Sequence, residues 1–136
     1  MIDTRTAGYG IFLLRAAMGF LFIAHASLKL FVFTPAGTEH FFASLGLPPV
    51  LGLVVMIAEF AAGAALVLGV YARIAAIVML PDLLGAIATV HIHNGFFFNN
   101  AGGGWEYPGF WALCLAVLAL LGDGAWALKR SFSVTA

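Results

Sequence analysis

Residues 19–33 read GFLFIAHASLKLFVF, from Gly19 to Phe33, and the fold turns on how that stretch is read. It is apolar enough to cross a bilayer, yet His25 and Lys29 sit in it one helical turn apart. Composition settles whether it is a spanning helix or the core helix of a soluble domain. The chain of 136 residues is 63% hydrophobic and 9% charged, with a mean hydropathy of +1.07. Soluble domains carry about 25% charged residues, and a soluble fold of this length has no means of covering so much apolar surface. The stretch therefore reads as membrane-spanning. Arg5 before an apolar run and the Ala24–His25–Ala26 tripeptide imitate a secretory signal, but Arg15 interrupts the run, so the segment is expected to be retained.

Working outward, apolar stretches cover about residues 10–33, 49–70, 72–93 and 107–128, the last densest up to Leu121. Crossing about 30 Å of hydrocarbon takes roughly 20 helical residues. Backbone groups in lipid must pair within their own segment, and period-2 alternation is too sparse for a barrel. The expected fold class is all-α: a polytopic membrane protein, one domain over 1–136, built as a four-transmembrane-helix bundle. The connection GVYAR is tight, whereas TPAGTEHFFASLGLPP and NGFFFNNAGGGWE are longer, aromatic and free of Lys and Arg. Arg5, Arg73, Lys129 and Arg130 lie at the termini and the short connection, so the positive-inside rule puts both termini in the cytoplasm. Ala61, Ala65 and Gly69 form a small-xxx-small ridge suited to close helix packing. Cys114, the single cysteine, reads as a packing residue and permits neither an internal disulfide nor a cysteine-held cluster. Net charge is zero, which removes the electrostatic case for nucleic acid.

Ionisable groups at bilayer depth cost about 2.5–3.5 kcal/mol each on insertion scales and normally mark function. Here they are Arg15, His25, Lys29, Glu59, Asp82, His91 and His93, with Glu106 at the mouth of the fourth span. At about 1.5 Å per residue, Glu59 and Asp82 share a middle layer. Arg15 falls in the cytoplasmic half; the histidines, Lys29 and Glu106 fall in the outer half. At roughly 100° per residue, Arg15, His25 and Lys29 share one face of the first span. Asp82, Ala86, Thr89 and His93 form one stripe on the third, from which His91 points away in a regular helix; Pro81 can kink that span. Each group has a plain alternative: Lys29 snorkelling to the interface, Glu59 and Asp82 as protonated carboxyls bonding across helices, Arg15 as their structural partner, each histidine as an interfacial hydrogen-bonder. His25, His91, His93, Lys29 and Glu106, gathered at one end, suggest an outward-facing polar pocket.

HASLKLF, FFASLGLPP, AEFAAGAALVLGVYARIAA, HIHNGFFF and GGGWEYPGFWALCLAVLALLG, in that order, resemble the DoxX family across nearly the whole chain. By motif, His25, Lys29, Glu59, Arg73, His91, Gly95, Phe96, Glu106 and Tyr107 match its signatures. Ala26 stands where the family usually has glycine, and Pro81 and Asp82 are unusual in the third helix. The resemblance implies a small multi-pass protein of a bacterial-type inner membrane, with members linked to quinone-coupled oxidation of sulfur compounds such as thiosulfate and to membrane redox complexes.

The leading functional expectation is a quinone-linked oxidoreductase subunit acting on a small substrate. His25, Lys29 and His91 are the expected catalytic groups: two bases that titrate near neutrality and a cation for developing negative charge. Glu59, His93, Glu106 and Tyr107 are expected to bind substrate or quinone. Arg15, Asp82 and Arg73 are expected to serve as structural ion pairs or proton relays, and no metal site is expected. A larger membrane redox partner or a homo-oligomer is the expected assembly, in a lipid bilayer. The alternatives are a non-catalytic anchor or assembly subunit, a haem held by His25 and His91 or His93, which the resemblance does not suggest, and a small-solute transporter, which in so short a chain requires an oligomer.

Overall fold

The computed structural model describes residues 3–132. It is helical throughout, with α1 (Ala7–Ser27), α2 (Thr34–Ser44), α3 (Val50–Leu68), α4 (Ala72–Ala86) and α5 (Glu106–Leu121). A π-helical turn, Leu28–Val32, continues α1; a second, Ile87–His91, continues α4 and leads into a 3-10 turn, Ile92–Asn94. Counting these turns, Ala7–Val32, Val50–Leu68 and Ala72–Asn94 are long and apolar enough to cross a membrane. α5 is shorter, at 16 residues. The faces turned away from the bundle are apolar, with Leu13, Phe20, Ile57, Val78, Leu113 and Leu120 exposed. In a single chain such a surface calls for lipid around it.

The fourth apolar helix does not run to Leu128. It stops at Leu121 because Gly122 and Gly124 turn the chain with φ of 96° and 72°. The tail then folds back under the bundle: the amides of Ala125, Leu128 and Lys129 donate to the carbonyls of Gly8, Leu68 and Gly69. The first long connection is also more ordered than a loop, since it contains α2, with Pro35 in its first turn.

α1 packs chiefly on α3, and α4 on α5. Phe22, Leu66, Met79, Leu115 and Leu118 fill the space between them. The buried stripe of α3 is Gly52, Met56, Glu59, Gly63 and Leu66. Of the ridge expected at Ala61, Ala65 and Gly69, Ala61 is exposed and Ala65 half-buried, and only Gly69 is buried. The close crossing is made by Gly19 and Gly63. A Cβ on Gly19 would lie 2.6 Å from the Gly63 carbonyl oxygen, and one on Gly63 would lie 2.8 Å from that of Gly19. Backbone cannot give way as a side chain does, so Gly63→Val is expected to lower stability by about 1–3 kcal/mol or more. Gly85→Ala, with open space around the added Cβ, is the neutral control in the same thermal unfolding series.

α3 ends in a Schellman arrangement. Gly69 takes the left-handed conformation, its amide donates to Leu66 and that of Val70 donates to Ala65. Arg15 completes the cap. Its fully buried guanidinium donates through Nη1 to the carbonyls of Leu66 and Val67, through Nε to Asp123 and through Nη2 to Ala125. One side chain thus ties α1 to the end of α3 and to the returning tail. Gly69 admits it, since a Cβ there would lie 2.6 Å from Arg15 Nη1.

Asp123 fastens the same end. Burial opposes its ionisation, but hydrogen bonds from the Ser131 amide and hydroxyl and from the Arg73 and Ala72 amides outweigh that and hold its carboxyl below the ordinary 3.8. A folded-state value below the unfolded one contributes stability above the ordinary carboxyl range. That contribution is lost as pH falls through it and below. Asp123→Asn is expected to flatten the acid limb of a melting-temperature profile below about pH 4.

Candidate functional site

The polar groups gather at the end of the bundle remote from Arg15. Lys29 lies in the π-helical turn that continues α1, and its Nζ meets both carboxylate oxygens of Glu59 on α3, at 2.8 and 2.7 Å. The side chains are 18% and 5% exposed, so this is a largely buried ion pair. Two features fix its lysine. Thr38 of α2 is buried and its hydroxyl donates to the Lys29 carbonyl at 3.2 Å. α2 in turn rests on α3 at Gly52, where a Cβ would come within 3.1 Å of Thr38. A π turn widens the helix and shifts the register of the later residues by one position, and such turns recur at functional sites.

Asp82 on α4 lies within electrostatic range of both members of the pair. His25 lies within range of Lys29 and of His91. The His25 ring stacks near Tyr107, with centroids 6.4 Å apart and planes 18° from parallel, and meets Trp111 edge-on at 5.0 Å. His91 Nδ1 donates to the Gly103 carbonyl at 2.8 Å, which fixes the tautomer and leaves Nε2 as the basic nitrogen of the neutral ring. His25, Lys29, His91 and Tyr107 thus lie in one half of the bundle, with Glu59 and Asp82 below them near the middle of α3 and α4.

His93 does not join them. It is exposed, whereas His91 is half-buried, the reverse of what a regular helix predicts. The π turn Ile87–His91 and the 3-10 turn after it break the constant 100° per residue on which that expectation rests. Glu106 is held at the mouth instead: its Oε2 accepts the Phe98 amide at 3.1 Å and so closes the loop between α4 and α5. With Phe98, Tyr107 and Phe110 it lines an open hollow of about 380 Å³. Arg73 stands at the far end of α4, about 27 Å from His91 at the helical rise. Arg15 is separated from Lys29 by about 21 Å on the same count.

Two contributors escaped sequence reasoning. Thr38 looked like an ordinary loop threonine. Trp111 looked like an apolar helix residue, yet it is 3% exposed, touches His25, Phe22 and Tyr107, and its indole N–H has no hydrogen-bond partner. A buried donor left unpaired costs about 1–3 kcal/mol. Among the described residues no group of three or more His, Cys, Asp or Glu is placed to hold a metal ion.

Together these features define an all-helical membrane protein with an ion pair and two histidines held at one end of an apolar bundle. The chain belongs to the DoxX family, whose model matches residues 10–92. It is 33% identical over 90 residues to a Bacillus subtilis (strain 168) protein named "Putative oxidoreductase CatD". That match covers 66% of this chain and 66% of the relative, just under two thirds of its length. No solved structure matches the chain.

Proposed function

We propose that the chain is the membrane-embedded part of an oxidoreductase that exchanges electrons and protons with a quinone at the Lys29–Glu59 site. The other substrate is a small compound, sulfur-containing if the chain follows its resemblance. In this reading α5 is the fourth span, both termini are cytoplasmic, and the site opens to the outer side of a bacterial-type inner membrane. The observation that carries it is the buried Lys29–Glu59 pair, within electrostatic range of His25 and Asp82 in an otherwise apolar bundle. The name of the Bacillus relative supports the reaction class.

The residues fit the demands of a quinone. Its ring needs flat apolar neighbours, and the Tyr107, His25 and Trp111 rings provide them. Its carbonyl oxygens need donors, and the Trp111 indole N–H is one without a partner. When bound, a quinone supplies the capacity to accept two electrons. The protein supplies charge and protons. Lys29 offers a fixed cation to an oxygen gaining negative charge, and Glu59 holds that ammonium in place. His91, with Nδ1 committed to Gly103, gives or takes a proton at Nε2. Asp82 is a second carboxyl beside the pair, placed to hold a proton in transit.

The test is quinone-linked turnover of the reconstituted protein with its electron donor. His25→Ala and Lys29→Ala are expected to lower kcat by about 10²-fold or more, the usual contribution of a positioned acid or base. Trp111→Phe keeps the ring, removes the donor, and is expected to raise the quinone KM. Unchanged turnover in both His25→Ala and Lys29→Ala, with the protein still assembled, sinks the proposal.

A further inference from the structure

A second charged constellation lies at the other end of the bundle, where the tail returns beneath α4 and α5. There Arg73, Gly122, Asp123, Gly124, Arg130 and Phe132 line a hollow of about 270 Å³. Among the described residues the Arg73 side chain makes one hydrogen bond, from Nη2 to the Leu120 carbonyl at 3.3 Å, and its buried Nε has no partner. Its guanidinium lies over the Phe132 ring at 5.8 Å. Arg130 makes no side-chain hydrogen bond among the described residues, and the ion pair found among them is Lys29–Glu59.

Asp123 shares this lining but is satisfied by neutral donors. Its oxygens accept from the Arg73 backbone amide at 3.2 Å, the Ser131 amide at 2.8 Å and the Ser131 hydroxyl at 2.7 Å. The lining therefore holds two guanidiniums against one carboxylate already occupied by neutral donors. Gly122 leaves bare backbone beside Arg73, since a Cβ there would lie 2.9 Å from Nη2. What matches such a hollow is a compact anion with several acceptor oxygens, which takes the guanidinium fork in paired hydrogen bonds and meets the orphaned Nε.

We infer that this hollow binds a phosphate group, carried either by an anionic lipid headgroup or by a soluble phosphate. Lys129, over the Tyr71 ring at 4.9 Å, adds positive charge at the same end. In the orientation proposed above, that end faces the leaflet where anionic headgroups attract clustered Lys and Arg. The site is independent of the redox reading and stands if that reading fails.

The test uses the full chain in nanodiscs of phosphatidylcholine with and without phosphatidylglycerol, and in detergent with and without inorganic phosphate. Binding is read by native mass spectrometry and by melting temperature. Arg130→Gln removes an exposed guanidinium that makes no internal bond; Arg73→Lys keeps the charge but loses the fork. Each is expected to weaken binding about fivefold, the usual contribution of one basic side chain at an anionic surface. Retention of phosphatidylglycerol over phosphatidylcholine, with no response to inorganic phosphate, assigns the group to a lipid. A response to inorganic phosphate that both variants diminish assigns it to a soluble anion. Binding of neither probe, or binding indifferent to both substitutions, overturns the inference.

Discussion

Lys29→Met is expected to destabilise the protein by about 3–5 kcal/mol, the usual result of removing one partner of a buried ion pair. Glu59 is 5% exposed and loses the ammonium that meets both its oxygens. Its side chain then has no hydrogen-bond donor among the described residues. Glu59→Leu is expected to cost a similar amount through the unpaired ammonium, softened because Lys29 is 18% exposed and has a long stem. The double variant Lys29→Met/Glu59→Leu separates stability from function. Replacing both charges with apolar groups of similar size is often neutral or stabilising, so the double is expected to melt near the wild type while losing quinone-linked turnover. Unfolding in detergent by denaturant or heat reads the first quantity, and the turnover assay reads the second. A double variant as unstable as either single would mean that the damage comes from packing, not from an uncompensated charge.

Arg15→Leu carries the other large effect. Its guanidinium serves carbonyls at the end of α3 and in the returning tail, and hydrogen bonds to charged groups contribute about 1.5–3 kcal/mol each, without simple additivity. Removing a buried charge returns part of that, but the Val67, Asp123 and Ala125 carbonyls lose the Arg15 donor and Leu66 keeps only the Gly69 amide. A net loss of about 4 kcal/mol or more is expected. Arg15→Lys keeps the charge but lacks the planar fork and falls between. Limited proteolysis adds a directional readout: cleavage within residues 123–130 should rise first, because Arg15 holds that tail. Equal protection of the tail in Arg15→Leu and wild type would remove Arg15 from that role.

These two side chains also show how differently legible the ionisable groups were. Apolar depth marked both as costly and therefore as purposeful, and that inference needed no coordinates. Arg15 shares a face with His25 and Lys29 and was expected in the other half of the span, as a structural partner of a carboxylate; it lies about 21 Å down the helix and bonds only backbone carbonyls. Lys29 reads as a snorkelling residue by position, but the structure turns it to Glu59. Its partner depended on the rotation of α3 against α1, set where Gly19 and Gly63 let two backbones touch. No pattern within a single helix encodes that rotation.

His91 and His93 make the same point within one helix. A constant 100° per residue puts His93 with Asp82; the π turn Ile87–His91 breaks that register, and it is His91 that is half-buried while His93 is exposed. Trp111 was hidden for another reason: an apolar, aromatic residue in an apolar span carries no signal until its N–H is seen to lack a partner beside His25.

The sequence by itself determined the environment, the helical class, the approximate spans and the family. These follow from composition, run length and motif order, which a one-dimensional string carries completely: lipid requires apolar length, and backbone in lipid requires helices. Only the tertiary structure decided that the fourth helix stops at Leu121, that Glu59 is the partner of Lys29, that His91 faces inward, and that Arg15 caps α3. Each of these depends on where one helix meets another, through local departures from ideal geometry (a π turn, a bare glycine crossing, a left-handed glycine) whose energies become decisive only when the neighbouring element is in place.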